Sequence, residues 1–394
     1  MSELNIFTEE TQKSILNEMK VQNGLIKIIA SGWNIDSWKA VQEIVRSGGG
    51  KRYFPVGTQF NLTSDWGTLV MTVLDHDHHL NPDDASAHTM TVGMADCIYG
   101  LQFDAAELLW ANTTDSALPA GTYHFTAYKS DYDGDTKEDG VYQFTTTKPI
   151  PANGGFRHTT MGAWRSAYAQ SYVLSGTFTT YDADCTVVES GLTCTLGSDG
   201  TGLGTFAKAY GDISVTMGKA NSTQRNTYGS NNTLESNLRQ FLNASGSGWF
   251  TKQTVFDLKP SYASSNGFLS RIDPEFAAIL GAVDLTANRS TVYEVDGNLG
   301  GTDTMRDKVF LLSMAEVGFG KNITMEGSVL NYYDDATSTD RIKYDLAKSS
   351  ARYWWLRSPG CWYASHVRRV SPSGALGYDI AYFEYGLAAA CAIM

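Results

Sequence analysis

Strand-like alternation governs much of the chain after its first fifty residues. Phe54–Leu62, Thr68–Leu74, Gly121–Tyr128 and Val141–Thr147 are rich in β-branched and aromatic residues that alternate with polar ones, and a period of two residues is typical of half-buried strands. The 38 glycines and the charged fraction of only 18% also suit a body rich in strands and turns. We therefore expect a β-rich fold.

Helical periodicity is confined to short segments. A helix start at Thr8 opens a first amphipathic helix, and a second is predicted from about Asp36 to the glycines at 48–50. Further helices are predicted over Asn232–Leu242 and from Asp273 to Leu280. Together with the strands, these helices indicate an α+β fold.

Shorter signals complete the expected secondary structure. Residues 152–222 have weak periodicity and are interpreted as loops and short strands. Apolar strands are predicted over Val309–Leu312, Tyr353–Leu356, His366–Val370 and Ala388–Ile393.

Charge and hydropathy exclude several classes of partner. With 394 residues and a formal net charge of −12, the chain lacks the basic surface that binding to nucleic acid or to anionic lipid requires. The mean hydropathy is −0.24, and no apolar run is long enough to insert into a membrane. The acidic start of the chain does not resemble a signal peptide. We expect synthesis in a cytoplasm, followed by retention there or release within a virion.

Cysteine spacing and acidic clusters give weak signals for metals or disulfides. The five cysteines are scattered and form no CxxC pair; a bridge between Cys185 and Cys194 stays open. His76 and His78 share one face of a strand, yet they adjoin a polar turn. The segment that begins with Asp131, Asp133 and Asp135 does not have a glycine and a glutamate at the positions where an EF-hand loop requires them. We expect no metal, no cofactor, and ligand binding that is insensitive to chelators.

Three blocks in the second half of the chain resemble one family. They are Tyr228–Asn231 with Ser236–Asn243, then Phe310–Ser313 with Glu316-Val317 and Phe319-Gly320, and finally Tyr353–Pro359. Val370, Ser373-Gly374 and the closing Gly386–Met394 complete the pattern. Together they resemble the C-type-lectin-like variable proteins that retroelements diversify, which include phage tropism determinants.

The resemblance implies a fold and a mode of action. It implies a C-type-lectin-like domain with large β-rich insertions over residues 36–394, a helical arm over residues 1–35, and a variable region at about 353–394. In that family mutagenesis at template adenines varies a solvent-facing patch, which binds a receptor on a target cell. The calcium site of sugar-binding lectins is generally absent there.

Two runs near the C-terminus have the composition of a binding surface. Both mix aromatic residues, charges of either sign and glycine without a clear period, and such mixtures suit an interface better than a core. The predicted ligand-binding residues are Gly360, Cys361, Trp362, Tyr363, Ser365, His366, Arg368, Ser371, Gly377, Tyr378, Asp379, Ile380, Phe383, Glu384 and Tyr385. Most of these residue types can be reached from an asparagine codon by changing its first two bases; Trp362 and Glu384 cannot.

These observations lead to one expected function and one rival. We expect a receptor-binding adhesin at a phage or prophage tail tip that recognises a protein or glycan, without catalytic residues. Its arm would serve trimerisation or virion attachment. We also expect Trp362, Tyr363, His366, Tyr378, Asp379, Phe383 and Tyr385 to share one exposed face. Arg357 is interpreted as structural, holding carbonyls or a carboxylate beneath that face. The rival is an enzyme on the same fold, similar to formylglycine-generating enzymes, with Cys361 or Cys391 as the thiol.

Overall fold

The computed structural model describes residues 9–30, 37–128, 138–158, 177–193, 195–197, 218–221, 223–289, 300–320, 326–360 and 363–394. Over these residues the protein has a mixed α+β fold that is mainly β, with curled sheets. The α+β class predicted from the sequence is therefore confirmed.

The described elements are short apart from the first helix. The helices are α1 (Glu9–Ala30), α2 (Trp38–Arg46), α3 (Gly50–Tyr53), α4 (Thr223–Tyr228), α5 (Asn237–Leu242) and α6 (Pro274–Ile279). The strands of the first half are β1 (Gln59–Ser64), β2 (Gly67–His76), β3 (Met90–Met94), β4 (Ile98–Gln102), β5 (Trp110–Ala111), β6 (Gly121–Tyr128), β7 (Glu138–Thr146), β8 (Gly155–His158), β9 (Thr177–Tyr181), β10 (Val187–Thr193) and β11 (Thr195–Gly197). Those of the second half are β12 (Lys219–Ala220), β13 (Leu280–Gly281), β14 (Val283–Asn288), β15 (Thr302–Asp307), β16 (Val309–Leu311), β17 (Lys343–Tyr344), β18 (Ala351–Arg352), β19 (Trp354–Pro359), β20 (His366–Val370), β21 (Leu376–Ile380), β22 (Glu384–Leu387) and β23 (Ala389–Ile393).

The C-terminal strands belong to two sheets. The first has the order β1-β2-β3-β23-β13, with β16 also paired to β23, and the second has the order β21-β20-β19-β22-β4. A further sheet, β10-β9-β8-β5-β12, comes from the middle of the chain. The C-terminal strand β23 is thus internal to the first sheet, whereas β21 lies at the edge of the second.

Two hydrophobic cores lie on the two sides of these sheets. Trp355 packs in the larger core with α2, α5 and α6, while its neighbour Trp354 packs in the other core with β14 and β16. Both indoles are fully buried. Trp354 Nε1–H donates to the Arg341 carbonyl and Trp355 Nε1–H donates to the Leu101 carbonyl, each at 3.0 Å. Adjacent strand residues point to opposite faces, so one Trp-Trp pair anchors both cores.

Several predicted elements are confirmed. Helix α2 ends at the predicted glycines, and α6 begins with Pro274 after the Asp273 cap, whose carboxylate accepts from Phe276 N–H at 3.0 Å. Strand β20 has the predicted bounds. The turn that follows it contains Gly374 with φ of +76°, a backbone conformation that favours glycine.

Three boundaries were predicted wrongly. The strand expected from Phe54 begins only at Gln59, because α3 precedes it. The helix expected from Asn232 begins at Asn237, since Ser236 Oγ caps it by accepting from Arg239 N–H at 3.2 Å. The run from Leu376 to Gly386, expected to be irregular, contains strand β21 and most of β22.

Helix α1 is only partly packed. Val21 joins the larger core, but Ile15, Leu16, Met19 and Ile26 are exposed. Among the described helices, none combines the length and apolar character needed to cross a membrane.

The Trp-Trp pair gives a test of the scaffold. We expect Trp354→Ala and Trp355→Ala each to lower the free energy of unfolding by about 3–5 kcal/mol, because each leaves a large cavity and an unpaired carbonyl. Tyr378→Ala, which truncates a side chain that is 46% exposed, should change it by only about 0.5 kcal/mol. Urea unfolding followed by tryptophan fluorescence and by circular dichroism measures all three. An equal effect of the three substitutions would contradict this division into core and surface.

Candidate binding surface

The C-terminal hairpin distributes its side chains over two faces. Strands β20 and β21 pair antiparallel, with His366 opposite Ile380, Arg368 opposite Tyr378 and Arg369 opposite Gly377. Directly paired residues share a face and successive residues alternate. His366, Arg368 and Tyr378 therefore lie on one face of the hairpin, and Arg369 and Asp379 on the other.

An aromatic cluster forms on the first face. The Tyr363 ring lies 4.1 Å from that of His366 and 5.9 Å from that of Tyr378, and His366 lies 5.5 Å from Tyr378. The Arg368 guanidinium sits 5.5 Å from the Tyr378 centroid. Burial lowers the pKa of His366 to about 4, against a small opposing effect of Asp379. This histidine is consequently neutral at pH 7 and packs as an aromatic ring.

A hydrogen-bonded cluster forms on the second face. Tyr385 Oη donates to Asp379 Oδ2 at 2.7 Å, and Arg369 Nε lies 3.3 Å from the same oxygen. The Arg369 guanidinium lies 4.1 Å from the Tyr353 centroid, and Tyr353 stacks on Tyr385 at 5.0 Å. Burial and then the Asp379 carboxylate raise the pKa of Tyr385 above its ordinary value. The tyrosines and the ion pair thus hold one another in place.

The expectation of one exposed face is wrong. His366 is 3% exposed. Among the other described residues of that set, Tyr363 and Tyr378 lie in the first cluster, whereas Asp379 and Tyr385 lie in the second, with Phe383 6.0 Å from Tyr385. Of the other predicted ligand-binding residues, Gly360, Ser365 and Ile380 are also buried. Tyr363, Arg368, Ser371, Gly377, Asp379 and Tyr385 are partly exposed, while Tyr378, Phe383 and Glu384 are exposed. Cys361 and Trp362 lie outside the described residues.

One exposed side chain outside the predicted set lies in this region. Tyr382 is 42% exposed beside Phe383 at 43%, in the turn between β21 and β22. Tyr382 lay within the mixed-composition run.

A separate segment holds the loop between β19 and β20. The Asn231 side-chain amide donates to three carbonyls of this loop, those of Tyr363 at 2.5 Å, His366 at 3.0 Å and Gly360 at 3.4 Å. Asn231 N–H donates to the Ala364 carbonyl at 3.1 Å, and Gln224 Oε1 accepts from Ala364 N–H at 2.9 Å. Each of these bonds goes to the loop's backbone, so none depends on which side chains the loop carries.

The same segment also holds the second loop. The Tyr228 carbonyl accepts from Tyr382 N–H at 2.8 Å. The block Tyr228–Asn231 therefore touches both runs that the sequence analysis selected for binding. Its preceding helix α4 is anchored in turn, because Arg225 forms a buried ion pair with Glu107 at 2.8 Å.

Arg357 has the structural role that the sequence predicts. Its Nε–H donates to the Thr286 carbonyl at 2.9 Å, and its two terminal nitrogens donate to the carbonyls of Leu311 and Glu326, each at 2.9 Å. The same nitrogens bind both carboxylate oxygens of Glu316 at 2.6 Å. These bonds engage all five N–H groups of a guanidinium, and the side chain is fully buried.

Electrostatics favour the charged form of both partners. Burial raises the pKa of Glu316, but the charge of Arg357 and the hydrogen bond from His79 outweigh it, and the net pKa lies well below its ordinary value. Burial likewise lowers the pKa of Arg357, and Glu316 more than reverses that shift. The pair is ionised at neutral pH.

The described thiols lack the features of an activated nucleophile. Burial raises the pKa of Cys97 to about 12 and raises those of Cys185 and Cys391, whereas a reactive cysteine needs a lowered one. Cys185 is a free thiol, and Cys194 lies outside the described residues, as do the aspartates at 131–135.

One described group of side chains has the composition of a metal site. His78, His79 and Glu316 offer ligand atoms that lie within 4.8 Å of one another. His78 was considered from the sequence as a possible ligand, whereas Glu316 lies 237 residues beyond His79 and no local pattern links the two.

The buried ion pair can be tested directly. We expect Arg357→Met to lower the free energy of unfolding by about 3–5 kcal/mol, because it leaves the Glu316 charge buried without its partner. Arg306→Met, which breaks the exposed pair between Arg306 and Asp284, should leave stability nearly unchanged. Thermal and urea unfolding of both variants provide the comparison. Similar losses in the two variants would contradict the central role of Arg357.

Comparisons with known proteins give one match. No curated protein and no solved structure is similar enough to match the chain. Residues 211–394 match the family model described as Domain of unknown function (DUF6273). That segment includes Asn231, the Arg357–Glu316 pair and both loops of the candidate surface.

Proposed function

We propose that this protein is a receptor-binding adhesin with a C-type-lectin-like fold, whose variable surface is diversified by a retroelement. The surface consists of the loop 360–366, the edge strand β21 and the turn 381–385. Its role is attachment of a phage or prophage tail tip to a protein or glycan on a target cell.

The way the loop 360–366 is held carries the proposal. The described hydrogen bonds from Asn231 and Gln224 to the loop all go to its backbone atoms. In a binding surface whose side chains vary between versions of the protein, the supporting contacts must not depend on the identity of those side chains. Backbone-directed hydrogen bonds from a separate segment meet this requirement, because the loop keeps its carbonyls whatever residues it bears.

The exposed side chains have the chemistry of binding anchors. Tyr378, Tyr382 and Phe383 expose between 42% and 46% of their surface at or beside the edge strand β21. Aromatic residues supply large contact areas at low entropic cost and dominate measured binding energies at interfaces. Because β21 is an edge strand, a partner that covers it meets side chains from both faces of the hairpin.

The partly buried clusters make the surface rigid before it binds. Arg369, Asp379, Tyr353 and Tyr385 restrain one another through an ion pair, a hydrogen bond and a ring stack. A preorganised surface loses less conformational entropy on association than a mobile one. These residues therefore act as the frame of the surface, and the exposed aromatic side chains act as its contacts.

A direct binding experiment tests the role of the exposed rim. We expect the triple variant Tyr378→Ala, Tyr382→Ala and Phe383→Ala to lose binding to intact bacterial cells, with a total change in unfolding free energy of about 1.5 kcal/mol or less. The fluorescently labelled full chain is screened by flow cytometry against a panel of strains, and the variants are then compared on a strain that binds. The matched control is Val56→Ala, Val187→Ala and Val255→Ala, which truncates three other exposed apolar side chains. Equal binding by the two triple variants would place the contact surface elsewhere.

The genomic neighbourhood tests diversification independently of any ligand. We expect a reverse transcriptase gene and a near-copy of the region that encodes residues 353–394, differing from it only at adenines. The differences should fall in codons of residues 360–366 and 377–385, apart from the frame residues Asp379 and Tyr385. They should spare the codons of Trp354, Trp355 and Arg357, which build the cores and the ion pair. Sequencing of the locus provides the measurement. A locus that lacks either the reverse transcriptase gene or the near-copy would contradict retroelement diversification. Differences spread over the codons of the core residues would contradict it as well.

A further inference from the structure

A polar cavity beside the buried ion pair has no part in the proposed binding surface. Its volume is about 440 Å³, within the range of small-ligand sites. It is lined by His78, His79, Asp284, Thr286, Glu316 and Arg357, among others. The cavity therefore connects the two histidines and the Glu316 carboxylate with space for further ligands.

Both histidines are held by their Nδ1 atoms. His78 Nδ1 lies 3.2 Å from Asp75 Oδ2, and Asp75 is itself fixed by two hydrogen bonds from Asn331, at 3.0 and 2.6 Å. His79 Nδ1 lies 3.0 Å from Thr91 Oγ1. Histidines that bind metals commonly have one ring nitrogen fixed in this way by a carboxylate or another polar group, which orients the second nitrogen.

The distance between His79 and Glu316 suits two ligands of one ion. His79 Nε2 lies 3.1 Å from Glu316 Oε1, and two ligand atoms of a tetrahedral ion with bonds of about 2.0–2.1 Å lie about 3.3 Å apart. The ligand atoms of the group all lie within 4.8 Å of one another, so a separation has to shorten by at most about 1.5 Å to reach that value. His78 is the least buried of the three, with 12% of its side chain exposed against 6% and 1%, so its ring has the most freedom to move.

The acidic side chains near the ligand group differ in their partners. Arg357 binds the Glu316 carboxylate and also interacts with Glu326, which accepts from Ser358 Oγ and from Asn288 N–H. Asp75 has His78 as its ion-pair partner within the described residues. Among its described contacts Asp75 has no lysine or arginine partner, so a divalent cation at the histidines would add positive charge near it.

We propose that His78 Nε2, His79 Nε2 and Glu316 Oε1 bind one divalent transition-metal ion of the zinc type, with the cavity supplying the remaining coordination position. Two histidines and a glutamate are a known ligand set for zinc with an open position. The inference is independent of the proposed adhesin function, and it replaces the expectation from sequence that the protein holds no metal.

Binding at this position leaves the Arg357–Glu316 bonds intact. The Glu316 carboxylate accepts from Arg357 through both oxygens, from Ser313 N–H at 2.9 Å and from His79 at 3.1 Å. The ion takes the place of the His79 proton in the last of these bonds. His79 then carries its proton on Nδ1 and donates it to Thr91 Oγ1, so the ring stays neutral and only its tautomer changes.

Zinc titration of the untagged full chain, after treatment with EDTA and removal of the chelator, tests the site. We expect one equivalent of Zn²⁺ per chain by isothermal calorimetry, a higher melting temperature in the presence of Zn²⁺, and the visible absorption of tetrahedral Co²⁺ when cobalt is used. Loss of a residue that only hydrogen-bonds a metal ligand weakens metal binding about 10–100-fold. His78→Ala removes a ligand itself, so it should weaken Zn²⁺ binding by more than that and should abolish the cobalt bands. This variant spares the Arg357–Glu316 pair, so it is expected to fold.

His88→Ala serves as the matched control. His88 belongs to the same region of the chain, is 51% exposed and pairs with Asp77, outside the proposed ligand group. It should leave the affinity for Zn²⁺ and the cobalt spectrum unchanged. Absence of stoichiometric Zn²⁺ binding by the wild-type chain, or equal affinity in the His78→Ala and His88→Ala variants, would overturn the assignment.

Discussion

The fully bonded Arg357 guanidinium is the constraint on which the C-terminal half of the structure depends. A buried charge is tolerated only where its attraction to a partner and its hydrogen bonds offset the loss of hydration. Arg357 meets that condition by joining β14, β16, Glu316 and the Glu326 carbonyl to β19. These segments are distant in sequence, so the geometry of one side chain fixes their relative positions. Strand β19, which is buried along its whole length, is thereby set between the two cores.

The binding region is built outward from that fixed strand. The loop that follows β19 begins at Gly360, three residues after Arg357, and Asn231 holds its carbonyls at both ends. Asn231 belongs to the segment in which Thr233 Oγ1 donates to the Arg357 carbonyl at 2.5 Å. The ion pair and the loop support therefore share one stretch of chain. The described bonds that hold the loop end at its backbone atoms, whereas the Ser365 and His366 side chains of the loop are themselves buried.

Local sequence signals predicted much of the scaffold and less of the site. The Tyr353–Pro359 block indicated a buried strand and a structural arginine, and both follow from residue chemistry: adjacent tryptophans fill two cores, and a guanidinium in an apolar strand requires acceptors. Contacts between residues distant in sequence could not be predicted. No sequence pattern links Glu316 to Arg357 or to His79, and none links Asn231 to the loop. Strand β21 was missed for a different reason. Leu376, Tyr378 and Ile380 do alternate with Gly377 and Asp379, but these five residues belong to a longer run that keeps no period beyond Ile380.

Side-chain alternation also explains why the predicted residues form two clusters. Strand β21 contributes Tyr378 to one cluster and Asp379 to the other, because successive strand residues point to opposite faces. As an edge strand, β21 also leaves one side of its backbone without a neighbouring strand in its sheet. The proposed contact surface lies at this edge. Glu316 lies deeper, between Arg357 and the histidines, where an ion would stabilise the scaffold without contacting the rim. Ligand recognition and metal binding are therefore expected to be separable properties of one fold.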